Sequence, residues 1–326
     1  MSDPRLCIVG AGNLSTNRIY PYIGTAGAQL VGVCDFDAEK AQRNARRWGG
    51  EVFSDMAKML TATKPDGVII CVGPEAHAAL SRVAMNMGVP VYTEKPPAPT
   101  AAEALELARL SKQTGVLCTN AFKKRYNVAY NRAKQWMAGF PPTDLSSISI
   151  DNCSAKFKND GSLRGSFLFD FGVHSMDLIT YLGGDIEQVF AFSKGLDAYA
   201  IAIRFASGAV GTLTINDFRT YNLPTEEVEI TLTDGNFMTI HNSSVYRISE
   251  KGKGAEWREP PTFISAGDSG NDTGHLAEIV DFVKAIGEKR TTRSNIYESY
   301  KSLMLYEAIV RAVETGQAQR MVYETI

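Results

Sequence analysis

Short apolar, β-branched runs alternate with stretches of helical periodicity through the first 120 residues. The runs fall at 5–9, 29–34, 51–53, 67–72, 89–93 and 116–119, and the helical stretches at 38–48, 55–63, 75–87 and 101–114. Near-continuous apolar strands separated by crossover helices predict a parallel sheet covered on both faces. Six such strands complete a doubly wound, Rossmann-type α/β unit. The last of these helices opens with a capping box, in which Thr100 can accept from the amide of Glu103 while Glu103 reaches back.

After Asn120 the rhythm changes. A helical stretch at 127–138 stops at Gly139 and the Pro141-Pro142 pair, which no helix continues through. A strand at 146–155, a loop rich in Lys, Asn and Gly, and a helix at 170–182 follow. Six strands come next, at 188–193, 198–205, 209–216, 227–233, 237–241 and 245–249, and two helices at 274–286 and 298–314 end the pattern. Gly208 and Asp234-Gly235 are hairpin residues, so consecutive strands here are expected to run antiparallel. The expected architecture is a Rossmann domain over 1–122 and an α+β domain over 123–326, built on an open, mostly antiparallel sheet.

A length of 326 residues suits two domains. With 34 Lys+Arg against 36 Asp+Glu the formal charge is −2, so there is no net positive field to gather nucleic acid or an anionic membrane surface. The longest apolar runs, such as 68–72, fall far short of the roughly 20 residues that span a bilayer. The N-terminus lacks the pattern of a signal peptide, since only four apolar residues follow Arg5 before a glycine turn. Cys7, Cys34, Cys71, Cys118 and Cys153 are scattered, with no C-x-x-C pair, which argues against both a disulfide framework and a zinc site. Small buried core residues in a reducing cytoplasm are expected.

Candidate chemistry begins at Gly10-Ala11-Gly12-Asn13-Leu14-Ser15, directly after the first strand. Gly10 suits a tight turn and Gly12 lets backbone approach a pyrophosphate. The amides at the helix start, through Asn13 and Leu14, then point at the anion. Ser15 stands where the strict pattern has a third glycine. Asp35 ends the second strand, where a carboxylate can take the ribose hydroxyls of an adenosine and repel a 2′-phosphate. That arrangement points to NAD rather than NADP, although Lys40 and Arg43 lie within reach of a phosphate.

Three further clusters fall at or beyond strand ends: Gly73-Pro74-Glu75-Ala76-His77, Glu94-Lys95-Pro96-Pro97, and Asp170-Phe171-Gly172-Val173-His174 with Asp177. Lys95 is a cation at the carboxyl edge of the sheet, held by the prolines, and can orient a substrate hydroxyl. Asp170 and His174, four apart on a predicted helix, share a face, so the carboxylate can orient the imidazole as a base. Asp177 can support His174 or the neighbouring chain from behind.

With the glycine turn, these clusters resemble the Gfo/Idh/MocA family of oxidoreductases over the whole chain. The Gly73-Pro74 stretch departs from the usual form, which has a threonine before the proline and one more residue before the histidine. The resemblance implies a hydride transfer between a nicotinamide and a secondary alcohol of a sugar, cyclitol or sugar derivative. It makes Lys95, Asp170 and His174 the catalytic set, with His174 as proton acceptor. Gly73, Pro74, His77, Glu94 and Lys95 itself join the cofactor site, His77 by capping or packing. Arg125 is a candidate substrate or cofactor contact, with surface charge as the alternative, and Asn152 is a further substrate candidate. His241 and His275 read as structural. Some relatives run redox-neutral glycosidase or lyase reactions through transient oxidation, and others bind cofactor as regulators without turnover. A homodimer or homotetramer is also implied.

Overall fold

A computed structural model describes residues 3–218, 225–259 and 273–326. The chain divides into two compact units, Met1–Lys123 with His275–Tyr300 and Ile326, and Lys124–Gly274 with Lys301–Thr325.

The first unit is a six-stranded sheet of β1 (Arg5–Val9), β2 (Gln29–Cys34), β3 (Glu51–Phe53), β4 (Gly67–Ile70), β5 (Val91–Thr93) and β6 (Cys118–Asn120). Its order is β3-β2-β1-β4-β5-β6 and every pairing is parallel. Crossovers run through α1 (Asn13–Arg18), α2 (Ala38–Trp48), α3 (Met56–Thr63), α4 (Pro74–Asn86) and α5 (Ala101–Thr114). Leu6, Ile8, Ile69 and Tyr92 are buried on a sheet covered on both faces, as continuous apolar strands require. β5 begins two residues later than the apolar run 89–93, because Pro90 has no N–H for a ladder. Thr100 caps α5 by accepting from the Glu103 amide at 3.2 Å, and its hydroxyl donates to the Glu103 carboxylate at 3.3 Å.

The first unit is discontinuous in sequence. A break at residue 122 assigns everything after it to the second domain. Yet Ile279, Phe282 and Val283 of α8 (His275–Glu288) bury with Leu6, Ile8 and Tyr92 in one core. Each such side chain taken from water contributes about 1.5–3 kcal/mol, which holds α8 against this sheet. The segment after it is tied in by Asn120, whose amide donates to the Ser294 carbonyl at 2.9 Å while the Ser294 hydroxyl donates to the Asn120 carbonyl at 2.6 Å.

The second unit contains α6 (Val128–Met137), β7 (Leu145–Cys153), a π-helical turn at Phe167–Gly172, α7 (Val173–Gly183) and strands β8 (Ile186–Lys194), β9 (Ala198–Phe205) and β10 (Val210–Asn216). Then come β11 (Thr225–Leu232), β12 (Phe237–His241), β13 (Val245–Ser249), β14 (Glu256–Arg258) and β15 (Gln319–Arg320). Most of α9 (Ile296–Thr315) belongs here too. The sheet has nine strands in the order β14-β13-β12-β11-β7-β10-β9-β8-β15. All pairings are antiparallel except β7 with β10, which are parallel because the chain crosses over through α7 between them. One face is buried: Tyr199, Ile201, Ile203 and Phe205 alternate inward along β9 and pack with Met176, Ile179 and Leu182 of α7.

The two short edge strands β14 and β15 have no clear apolar run in the sequence. All five cysteines are buried and free; burial pushes the thiols of Cys7 and Cys34 up to about 11 and that of Cys118 up to about 12. Among the described residues no helix is long and apolar enough to cross a membrane.

Candidate functional site

The glycine turn is built as its spacing demands. Gly10 has φ +104°, and a Cβ there would stand 2.0 Å from the Cys71 carbonyl oxygen, so no other residue fits. Its amide donates to the Cys34 carbonyl at 2.8 Å, closing the turn across the β1–β2 edge. Gly12 caps α1, and a Cβ on it would meet nothing within 4 Å. That open space over the first turn, together with amides that α1 cannot satisfy internally, fits a pyrophosphate held by Gly12, Asn13 and Leu14. Ser15, in the third-glycine position, is fully buried and donates to the Gly12 carbonyl at 3.1 Å. A small residue suffices there.

Asp35 faces this turn. One carboxylate oxygen accepts from the Ala11 amide at 2.6 Å and the other from the Asp37 amide at 2.8 Å, which aims the group and leaves lone pairs for hydroxyl donors. Lys40 is engaged with Asp37 at 2.8 Å, and the hydrogen bond from Lys40 holds the Asp37 carboxyl below the usual carboxylate range.

Gly73 caps α4 with an ordinary backbone (φ −72°), followed by Pro74 at the first helical position. Its role does not rest on a conformation only glycine adopts. His77, on the same helix, is buried, and its Nδ1 donates to the Pro96 carbonyl at 2.7 Å. The turn after β5 is pinned again by Asn120, whose side-chain amide donates to the carbonyls of Thr93 at 2.9 Å and Glu94 at 3.0 Å. The Lys95–Pro96 peptide is cis. Glu94 is buried and accepts from the Lys95 amide at 3.2 Å, while Lys95 is the one partly exposed residue from Val91 to Ala98. The first unit therefore brings the glycine turn, Asp35, the α4 start and the Glu94–Lys95 turn to the carboxyl ends of its strands, where open α/β sheets bind ligands. In the sequence Asn120 reads only as the residue that follows the 116–119 run, with nothing local to mark this role.

In the second unit, the helix expected over 170–182 is two pieces. Asp170 lies in the π-helical turn and His174 in the first turn of α7. Their four-residue spacing thus spans a change from i→i+5 to i→i+4 bonding, and the simple helical-face geometry does not apply. What singles them out is exposure: from Phe167 to Thr180 only Asp170, Phe171 and His174 are accessible.

Behind this surface α7 is held by buried polar groups. Arg125 is not a surface charge; it is 2% exposed, and its Nε donates to both Asp177 oxygens at 3.0 Å while Nη2 lies 2.9 Å from one of them. Asp177, fully buried, also accepts from the Ser302 hydroxyl at 2.9 Å. Asn152, 4% exposed, donates to the Ser175 hydroxyl at 2.8 Å and to Glu226 at 3.0 Å. Glu226 further accepts from Lys124, the Tyr130 hydroxyl and the Ser243 hydroxyl. Glu226, Lys124 and Ser175 escaped the sequence reading, since nothing local joins residues up to 102 positions apart. Among the described residues no three His, Cys, Asp or Glu side chains converge to hold a metal.

Comparisons with known proteins bear on both halves of the chain. Residues 5–122 match the NAD-binding Rossmann-fold profile of an oxidoreductase family, and residues 152–322 match that family's C-terminal α/β domain. The chain is 24% identical to D-glucoside 3-dehydrogenase of Escherichia coli over 97% of each protein. It is 26% identical to scyllo-inositol 2-dehydrogenase (NAD(+)) of Bacillus subtilis over 76% of this chain and 78% of that one. Its fold is similar, at TM-score 0.86 and 17% identity over 98% of each chain, to an oxidoreductase from Agrobacterium radiobacter solved with NAD+, L-tartaric acid and magnesium. With an NAD-binding half and a C-terminal half that both match, the chain belongs to the Gfo/Idh/MocA family of oxidoreductases.

Proposed function

We propose that this protein is an NAD-dependent dehydrogenase, or a reductase in the opposite direction, acting on a secondary alcohol of a sugar, cyclitol or sugar derivative. The observation that carries the reading is the accessibility of Asp170 and His174 where the π-helical turn joins α7, in a stretch from Phe167 to Thr180 otherwise buried except for Phe171 and clamped from behind. Such a stretch presents an acid and a base at fixed positions, and fixed positions are what effective molarity requires. His174 removes the hydroxyl proton, Asp170 orients it, and Lys95 holds the substrate oxygen. The bound nicotinamide supplies the hydride acceptor or donor.

Preference for NAD over NADP rests on Asp35. Replacing Asp35 by Ala removes a charged acceptor, so NAD affinity should fall roughly tenfold or more, and the ratio of NAD to NADP affinities should shrink in fluorescence titration. An unchanged ratio would place the selection elsewhere.

The function is tested by offering NAD with a panel of inositols, aldoses and glycosides and following nicotinamide absorbance. Steady NADH formation with at least one polyol is expected. Glycoside cleavage without NADH would replace this reading with a redox-neutral one, and NAD binding without any turnover would favour a regulator.

A further inference from the structure

Glu278, in the first turn of α8, is 1% exposed, and neither of its carboxyl oxygens has a hydrogen-bond partner. It is one turn before Phe282, whose ring lies 5.8 Å from that of Tyr92 on β5. This helix face therefore meets the strand that leads directly into Glu94 and Lys95. The Tyr92 hydroxyl is buried as well and acts on Glu278 without closing a full hydrogen bond.

A carboxylate anion without donors is strongly disfavoured in such a place, whereas a carboxylic acid is tolerated. Burial first and Glu94 second push the Glu278 carboxyl well above the usual range, against the opposing pull of Tyr92 and Lys123. Those three groups face it from β5, from the turn after β5 and from the turn after β6. On its own helix, His275 is pushed down to about 2 by burial, then by Lys123 and Arg18, so it stays neutral. Burial lowers Lys123; Glu278 and Glu94 pull it up, and Lys95 and Arg18 push it down. The cluster thus joins the end of α1, the helix that opens at Gly12, to the Glu94–Lys95 turn, and the cations Arg18, Lys95 and Lys123 outnumber its anions whether or not Glu278 is ionised.

We propose that Glu278 is a proton-holding positioning residue behind Lys95: a neutral acid in the free protein that releases its proton to solvent when oxidised cofactor binds, so that NAD+ binding is proton-linked and NADH binding is not. This rests on the reading that Lys95 lies beside the nicotinamide. A cationic ring there adds to the charge of Lys95, Lys123 and Arg18, and ionising Glu278 offsets that one added charge. The neutral ring of NADH makes no such demand. By reciprocity NAD+ affinity rises with pH where Glu278 titrates, up to tenfold per pH unit for one linked proton.

The test is calorimetric titration of the full chain with NAD+ and with NADH near pH 7.5, in phosphate and in Tris, whose different ionisation heats count the protons released. More protons are expected with NAD+ than with NADH, and Glu278→Gln should bind both while erasing the difference. Equal release by the wild-type protein would overturn the proposal without any variant, and so would a difference that survives Glu278→Gln.

Stability gives a second readout. An acid neutral in the fold and ionised in the unfolded chain loses stability as pH rises above about 4.5. Glu278→Gln should therefore gain on the wild type by up to tenfold in folding constant per pH unit between pH 5 and 8. A variant less stable by a constant margin would mean an ionised Glu278 paired with Lys123, against the proposal. Failure of the proposed reaction has a different signature, since NAD+ would still bind with proton release while no polyol gave NADH.

Discussion

His174→Ala and Lys95→Ala should each lower kcat about 10²–10⁴-fold, the range a positioned general base or orienting group supplies, while NAD affinity stays within about threefold. The argument is one of placement. Both side chains are partly exposed, Lys95 alone from Val91 to Ala98 and His174 with Asp170 and Phe171 from Phe167 to Thr180, so truncation removes a reaching group rather than a fully buried one. The backbone under Lys95 is fixed by Asn120 and by His77 through the Pro96 carbonyl, none of which the substitution touches. For His174 the helix is anchored one residue later by Ser175 to Asn152 and three residues later by Asp177 to Arg125. Steady-state kinetics and NAD titration on the same preparations check this; a variant with near-normal kcat would remove that residue from the mechanism.

Asp177→Ala should destabilise the protein by about 3–5 kcal/mol, the loss expected when one partner of a buried ion pair is deleted. Arg125 would then be left at 2% exposure with a guanidinium that water cannot reach. The damage should be asymmetric. Replacing both partners with apolar residues of similar volume, as in Arg125→Met with Asp177→Leu, should recover much of the loss, because the desolvation cost of both charges disappears together. Urea unfolding of the three proteins checks the order, and a double variant no better than Asp177→Ala would show that the pair contributes directional hydrogen bonds that packing cannot replace. A recovered fold with depressed kcat would identify the pair as the clamp that aims His174.

The parts of the site that could be read in advance are those whose chemistry is local. Gly10, Gly12 and Asp35 declare themselves because a strand, a tight turn and a following strand end lie within one βαβ unit, and the turn imposes its glycine through a 2.0 Å clash. Lys95 is marked by its prolines and by the strand before it. Asp170 and His174 stand out by residue type, yet the geometry first assigned to them, one face of a continuous helix, gives way to a π-helical turn joined to α7. The turn carries no distinct pattern, since Phe167, Phe169 and Phe171 fit a helix of either pitch.

Periodicity alone determined that α8 has a buried face. It did not determine which core receives that face, because Ile279 and Phe282 would satisfy any apolar surface; only the tertiary structure assigns them to the core of Leu6 and Tyr92. The same packing carries Glu278 into a place without hydrogen-bond partners. Likewise Arg125 and Asp177, 52 residues apart, read as separate charges until the fold buries both. Local steric rules and strand–turn–helix order are written along the chain and can be read from it. The desolvation that turns a charge into a clamp, or an acid into a neutral proton store, exists only once distant segments have excluded water around it.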